Sequence, residues 1–131
     1  DYVEAMWLML QQDQPDDFVI ATGEQYSVRH FIEAAGTELG MSIEWRGEGV
    51  DEVGFDRESG SEVVAVDTRY FRPTEVDALI GDPTKAKQVL GWQAKTPFLT
   101  LVREMVAEDR QTAKRDAMVK KAGYPTFDHK E

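Results

Sequence analysis

The stretch Leu79-Ile80-Gly81-Asp82-Pro83-Thr84-Lys85-Ala86-Lys87-Gln88-Val89-Leu90-Gly91-Trp92 contains a complete helix signal. Asp82 suits an N-cap, and Pro83 suits the first helical position, where a missing N–H leaves nothing unsatisfied. Ala86, Val89 and Leu90 supply the apolar stripe, and Gly91 stops the helix as a C′ glycine. Thr96-Pro97 repeats the start signal. Leu101, Val102, Met105 and Val106 follow at helical spacing and predict a long amphipathic helix running to about Lys114 or Lys121. Lys114, Arg115, Lys120 and Lys121 near its end suit the negative pole of the helix dipole. Gly123-Tyr124-Pro125 ends it, and the last six residues are expected to fray.

Upstream, Ser27 is an N-cap for a helix carrying Val28, Phe31, Ile32, Ala35 and Leu39, which Gly40 stops. Phe18 to Thr22 is short, apolar and β-branched, and predicts a buried strand. Ser42 to Arg46 alternates apolar and polar residues and predicts a half-buried strand. Gly47 to Gly60 mixes four glycines with acids and predicts a loop. Glu62 to Val66 predicts a strand pairing with Ile43–Trp45 across that loop. Asp67 to Pro73 reads as irregular, because the residue before Pro73 is biased out of the helical region. The expected total is four helices and three short strands.

The chain opens Asp1-Tyr2-Val3-Glu4-Ala5-Met6-Trp7-Leu8-Met9-Leu10. Apolar residues run nearly all round this segment, which predicts a helix buried on most sides. Its six-residue apolar run is far short of the ~20 needed to span a bilayer, and it lacks the basic start and cleavage site of a secretory signal. A buried, uncapped helix at residue 1 is expected of the lower part of a longer protein; a trimmed start with a frayed first turn is the alternative.

Fifteen Lys and Arg against twenty-five Asp and Glu give a net charge of −10 over 131 residues, with 41% hydrophobic residues and no Cys. The apolar fraction is that of a folded domain. The acidic balance argues against a nucleic-acid partner, which would be met by clustered Lys and Arg. It leaves room for a small phosphorylated ligand, which needs only one or two local Arg. The absence of Cys excludes disulfides, thiolate metal sites and a thiol nucleophile. The two His, at 30 and 129, are too far apart in sequence to suggest a His-based metal site.

Several segments together carry a family resemblance. They are Tyr70-Phe71-Arg72-Pro73-Thr74-Glu75-Val76-Asp77, Leu79 to Lys87, Leu90-Gly91-Trp92, the opening segment to Gln11, Asp17 to Arg29, and Leu101 to Val106. In these the chain resembles the C-terminal part of the extended short-chain dehydrogenases/reductases, and within them the GDP-mannose 4,6-dehydratase family. The resemblance covers residues 1 to about 115. Leu90-Gly91-Trp92 alone is shared by many nucleotide-sugar epimerases and dehydratases; the Arg72–Asp77 run and the opening helix are narrower.

The resemblance implies an α/β fold: the C-terminal substrate-binding portion of an extended Rossmann-type, NAD(P)-binding fold, mostly helical with a few short strands. It implies a nucleotide-sugar-binding region at 1–115 and a tail at 116–131. The implied enzyme is a lyase that converts GDP-mannose to GDP-4-keto-6-deoxymannose with NADP, as a homodimer or homotetramer in the cytoplasm. In the family the sugar C4 is oxidised by hydride transfer to the nicotinamide, water leaves across C5 and C6, and the hydride returns to C6. The catalytic Thr or Ser, Tyr and Lys, the Glu acid/base and the glycine-rich cofactor loop all lie upstream of the matching region. This sequence has no Gly-x-x-Gly-x-x-Gly, and none of its Tyr has a Lys four residues later. The nucleotide-binding half is therefore expected to be absent from this chain, which alone would be inactive, with no catalytic, cofactor or metal residue assigned. Rival readings are another epimerase, dehydratase or reductase of the superfamily, and a non-catalytic nucleotide-sugar-binding module.

For the substrate the resemblance implicates Arg72 and Glu75. The matching Arg and acid hold the diphosphate and the ribose hydroxyls of the nucleotide-sugar. A guanidinium offers a planar fork to phosphate oxygens, and a carboxylate accepts from vicinal hydroxyls. On spacing alone the two read as a solvated i, i+3 ion pair worth roughly 0.2–0.5 kcal/mol; the flanking motif changes that reading. Trp7, Trp45 and Trp92 could stack on a base but read as core. His30 sits on an apparent helix surface, and Gly23 reads either as a turn glycine or as a point of close ligand approach. The acids from Glu48 to Glu62 lack the spacing of a Ca²⁺ loop and read as solvated.

Overall fold

The structure is a computed structural model that describes residues 1–72 and 78–126. Its elements in chain order are α1 (Tyr2–Leu10), α2 (Val28–Glu38), β1 (Ile43–Arg46), a 3₁₀ turn (Gly49–Asp51), β2 (Val53–Asp56), β3 (Glu62–Ala65), α3 (Thr84–Leu90) and α4 (Phe98–Lys121). It is a mixed helix–strand arrangement with one small antiparallel sheet.

The start signals of α2 and α3 are met by local hydrogen bonds, whereas α4 begins after Pro97 with no side-chain cap bond from Thr96. Ser27 Oγ accepts from the backbone N–H of His30 at 3.1 Å and caps α2. Asp82 Oδ1 accepts from the N–H of Thr84 at 2.9 Å and from its hydroxyl, so the carboxylate serves the first turn of α3 from one residue before the cap position, which Pro83 holds. Gly91 closes α3 with φ +66°, a left-handed conformation that costs a glycine nothing. α4 runs unbroken through position 115 to Lys121.

One core forms between α1 and α3. Ala5, Ala86, Leu90 and Trp92 are buried, and Leu8, Met9, Phe18, Ile20 and Ala94 pack against them. Trp92 is 2% exposed, and its Nε1 donates to the carbonyl of Asp1 at 3.0 Å. The Asp1 carboxylate accepts from the N–H groups of Lys95 and Thr96, so the start of α1 is tied to the segment leading into α4. The expectation of a helix buried on most sides is corrected: in α1 only Ala5 is buried, and Trp7 and Leu10 are 60% and 82% exposed. Phe18–Thr22 is also corrected. It forms no strand, and no backbone hydrogen bond joins Phe18–Ala21 to another described residue. A ladder needs a neighbouring strand, and none lies beside it among the described residues.

The sheet runs β1-β2-β3. The expected loop Gly47–Gly60 contains β2, and β3 pairs with β2 instead of reaching β1. Gly54 and the surrounding acids concealed this strand, because both disfavour strands in isolation. In the fold Gly54 lies opposite Trp45, whose ring fills the space a side chain would take; a Cβ there would come within 3.1 Å of it. Asp56 ends β2, buried at 8% exposure, and accepts from the N–H groups of Ser42 and Ser59 and from the Ser59 hydroxyl.

α2 ties the sheet to α4. Trp45 Nε1 donates to Glu33 at 2.9 Å, the Arg29 guanidinium lies 4.5 Å over the Trp45 ring, and Arg29 pairs with Glu52. On the other side Phe98 stacks on Tyr26, with ring centres 4.0 Å apart, and meets Phe31 edge-on. Among the described residues no helix is long and apolar enough to cross a membrane.

Candidate functional site

Arg72 follows β3 through a turn within the segment expected to be irregular. The N–H of Tyr70 donates to the carbonyl of Asp67 at 3.0 Å, and the Asp67 carboxylate receives the N–H and the guanidinium of Arg69. Arg69 holds the Asp67 carboxyl below the usual aspartate range. The Arg69 guanidinium also lies 5.4 Å from the Tyr70 ring centre. Tyr70, Phe71 and Arg72 are all exposed. In this segment the Arg69 charge is answered by Asp67. A guanidinium such as that of Arg72 has the planar fork that matches phosphate oxygens. Glu75 lies outside the described residues. The Asp67–Arg69 clamp was missed, although an Asp opening a turn two residues before an Arg is a legible signal.

A concavity surrounds Thr22. One cleft of about 250 Å³ is lined by Thr22, Lys87, Trp92 and Gln93; another of about 310 Å³ by Thr22, Glu24, Tyr26, Lys95 and Phe98. Arg72 lines neither. Here Tyr26 donates its hydroxyl to Glu24 at 2.7 Å, which raises the phenol's pKa.

The remaining tempting residues take structural positions. Trp92 is core and Trp45 is half-buried against Arg29, whereas Trp7 is exposed, against the expectation of core. His30 is exposed on α2. Gly23 turns the chain with φ +78°. Among the described residues no three His, Asp or Glu converge as a metal ion would require.

Among the described residues no turn fits the cradle that the NADP implied by the resemblance would need. Its pyrophosphate would need a glycine-rich turn opening onto a helix N-terminus. The turn between Phe18–Thr22 and α2 has a single glycine, and Ser27 already caps the helix.

Comparison with known proteins agrees with the narrower motifs. A sequence model of the family described as GDP-mannose 4,6 dehydratase matches residues 1–105. The GDP-mannose 4,6 dehydratase of Dictyostelium discoideum is 58% identical over 83% of this chain and 31% of its own length. That of Vibrio cholerae is 51% identical over 95% of this chain and 36% of its own length. The Homo sapiens enzyme is 58% identical over 83% of this chain and 29% of its own length. The chain thus spans about a third of the length of the curated relatives it matches. Identity at this level, over a match that includes the Arg72–Asp77 motif and the opening helix, places the chain in the GDP-mannose 4,6-dehydratase family.

Proposed function

We propose that residues 1–115 are the GDP-sugar-binding portion of an extended Rossmann-type enzyme, with 116–131 as its tail. The enzyme would convert GDP-mannose to GDP-4-keto-6-deoxymannose and water, a step toward deoxyhexoses. The observation that carries this reading is the family match running through the exposed Arg72 segment. Arg72 would fork onto the diphosphate and Glu75 would accept from the ribose hydroxyls. NADP, which supplies the hydride chemistry when bound, would be held by polypeptide other than these residues. The whole protein would work as a homodimer or homotetramer in the cytoplasm, and these 131 residues alone would be inactive.

The test is ligand binding by the full-length protein. Removing a charge-assisted hydrogen bond of about 1.5–3 kcal/mol should weaken GDP-mannose roughly ten- to hundredfold in Arg72→Ala. An unchanged Kd would remove Arg72 from the site. GDP should also outcompete UDP; equal competition would favour another nucleotide-sugar enzyme of the superfamily.

A further inference from the structure

Arg72 sits on a short tether from the sheet. β3 is held by β2, with Ala65 opposite Val53 and Val64 opposite Gly54. Asp67, the second residue beyond β3, closes a turn in two ways. Its carbonyl accepts from the N–H of Tyr70 at 3.0 Å, and its Oδ1 accepts from the N–H of Arg69 at 2.9 Å. The second bond is an Asx-turn arrangement, in which a side-chain oxygen mimics a backbone carbonyl. The Arg69 guanidinium closes over the same carboxylate, with Nε 3.1 and 3.0 Å from its two oxygens. Beyond the turn, the Pro that follows Arg72 in the sequence biases the Arg72 backbone toward the extended region. Between Tyr70, which ends the turn, and Arg72 lies Phe71 alone. The turn at Asp67 therefore sets the direction in which the chain carries Arg72 away from the sheet.

We propose that Asp67 is a positioning residue for Arg72, holding the turn that aims the arginine so that less freedom is lost when the diphosphate binds. The proposal rests on the reading of Arg72 as the residue that meets the diphosphate. The clamp adds little to stability: the Asp67 and Arg69 side chains are 41% and 72% exposed, and a solvent-exposed ion pair contributes little to folding. What Asp67 supplies is geometry. An acceptor at its Oδ1 position holds the turn whether or not it carries a charge. An asparagine at 67 keeps that acceptor, and an alanine does not.

The GDP-mannose Kd of the full-length protein tests it. Asp67→Ala should weaken binding roughly three- to tenfold, the cost of ordering one more long side chain on binding. Asp67→Asn should stay within about twofold of the parent protein, because its amide oxygen still closes the turn. In an Arg72→Ala background, Asp67→Ala should cost nothing further, since a residue that acts through Arg72 then has nothing left to position. Three results would each overturn the proposal while leaving Arg72 in the site: an unchanged Kd in Asp67→Ala, equal losses in Asp67→Ala and Asp67→Asn, or the same fold-loss with and without Arg72. A Kd unmoved by Arg72→Ala itself would instead remove the arginine from the site, and the positioning role with it.

Discussion

The α2–sheet region and the α1–α3 region meet their packing needs differently. Between Ser27 and Ala65 nearly every demand is answered nearby: Ser27 caps α2, Trp45 covers Gly54 and meets Glu33 and Arg29, and Asp56 gathers the turn into β3. The α1–α3 region is closed over long sequence separations, by Trp92 reaching Asp1 and by Lys85 reaching Asp16. It also leaves one apolar side of α1 exposed and the Phe18–Ala21 backbone without ladder hydrogen bonds among the described residues. A region built from local partners can be read from local pattern. One built from distant partners cannot.

Trp92→Ala should break the contrast most. Emptying this buried site should cost about 3–5 kcal/mol in urea unfolding. Amide exchange should rise in α1 and α3 before it rises in β1 and β2; simultaneous loss would make the two regions a single cooperative unit. Gly47→Ala attacks the other side. Gly47 has φ +83°, and a Cβ would lie 2.2 Å from the Asp51 carbonyl oxygen, so at least about 1–3 kcal/mol should be lost in the β1–β2 hairpin. Gly40→Ala, with φ +79° but open space around it, should cost less, and the difference measures the clash. Ser27→Ala should cost about 0.5–2 kcal/mol and Ser27→Gly only a few tenths, seen as fraying of the first turn of α2 by amide exchange. Equal losses would locate the effect outside the cap.

The smallest effect expected is with pH. The Ser59 hydroxyl and then its N–H hold the Asp56 carboxyl below its ordinary value of 3.8. Lys95 does the same for Glu4, and Lys85 for Asp16. A carboxyl whose folded pKa is depressed contributes stability that is complete above its ordinary value. That contribution is lost as pH falls through the lowered one. Both regions should therefore weaken gradually below about pH 4. Asp56→Asn should flatten that acid limb in the β2–β3 turn while leaving it intact in α1. An unchanged slope in the turn would show that Asp56 does not set it.

The helices were legible because their signals are local: Ser27 and Gly91 act on hydrogen bonds within one turn of themselves. β2 was not, because Gly54 is a poor strand residue until Trp45 is placed across from it. Phe18–Thr22 shows the converse error, an apolar run with the composition of a strand and no described strand beside it to make it one. At the candidate site Arg72 was reached through its motif, the Asp67–Arg69 clamp has a local signal in the Asp that opens its turn, and the Thr22 clefts emerged only from the fold.

The order of residues alone located α2 and α3 and the start of α4, leaving the end of α4 between Lys114 and Lys121, and it pointed to the family and to the arginine to test. Caps, glycine stops and short motifs act over a few bonds, so they survive outside any fold. Tertiary structure decided the strand order, the seat of Trp92 beneath Asp1 and which side of α1 stays uncovered. Those outcomes depend on which distant surfaces meet, and a periodicity that marks two apolar sides of a helix does not say which neighbour covers each.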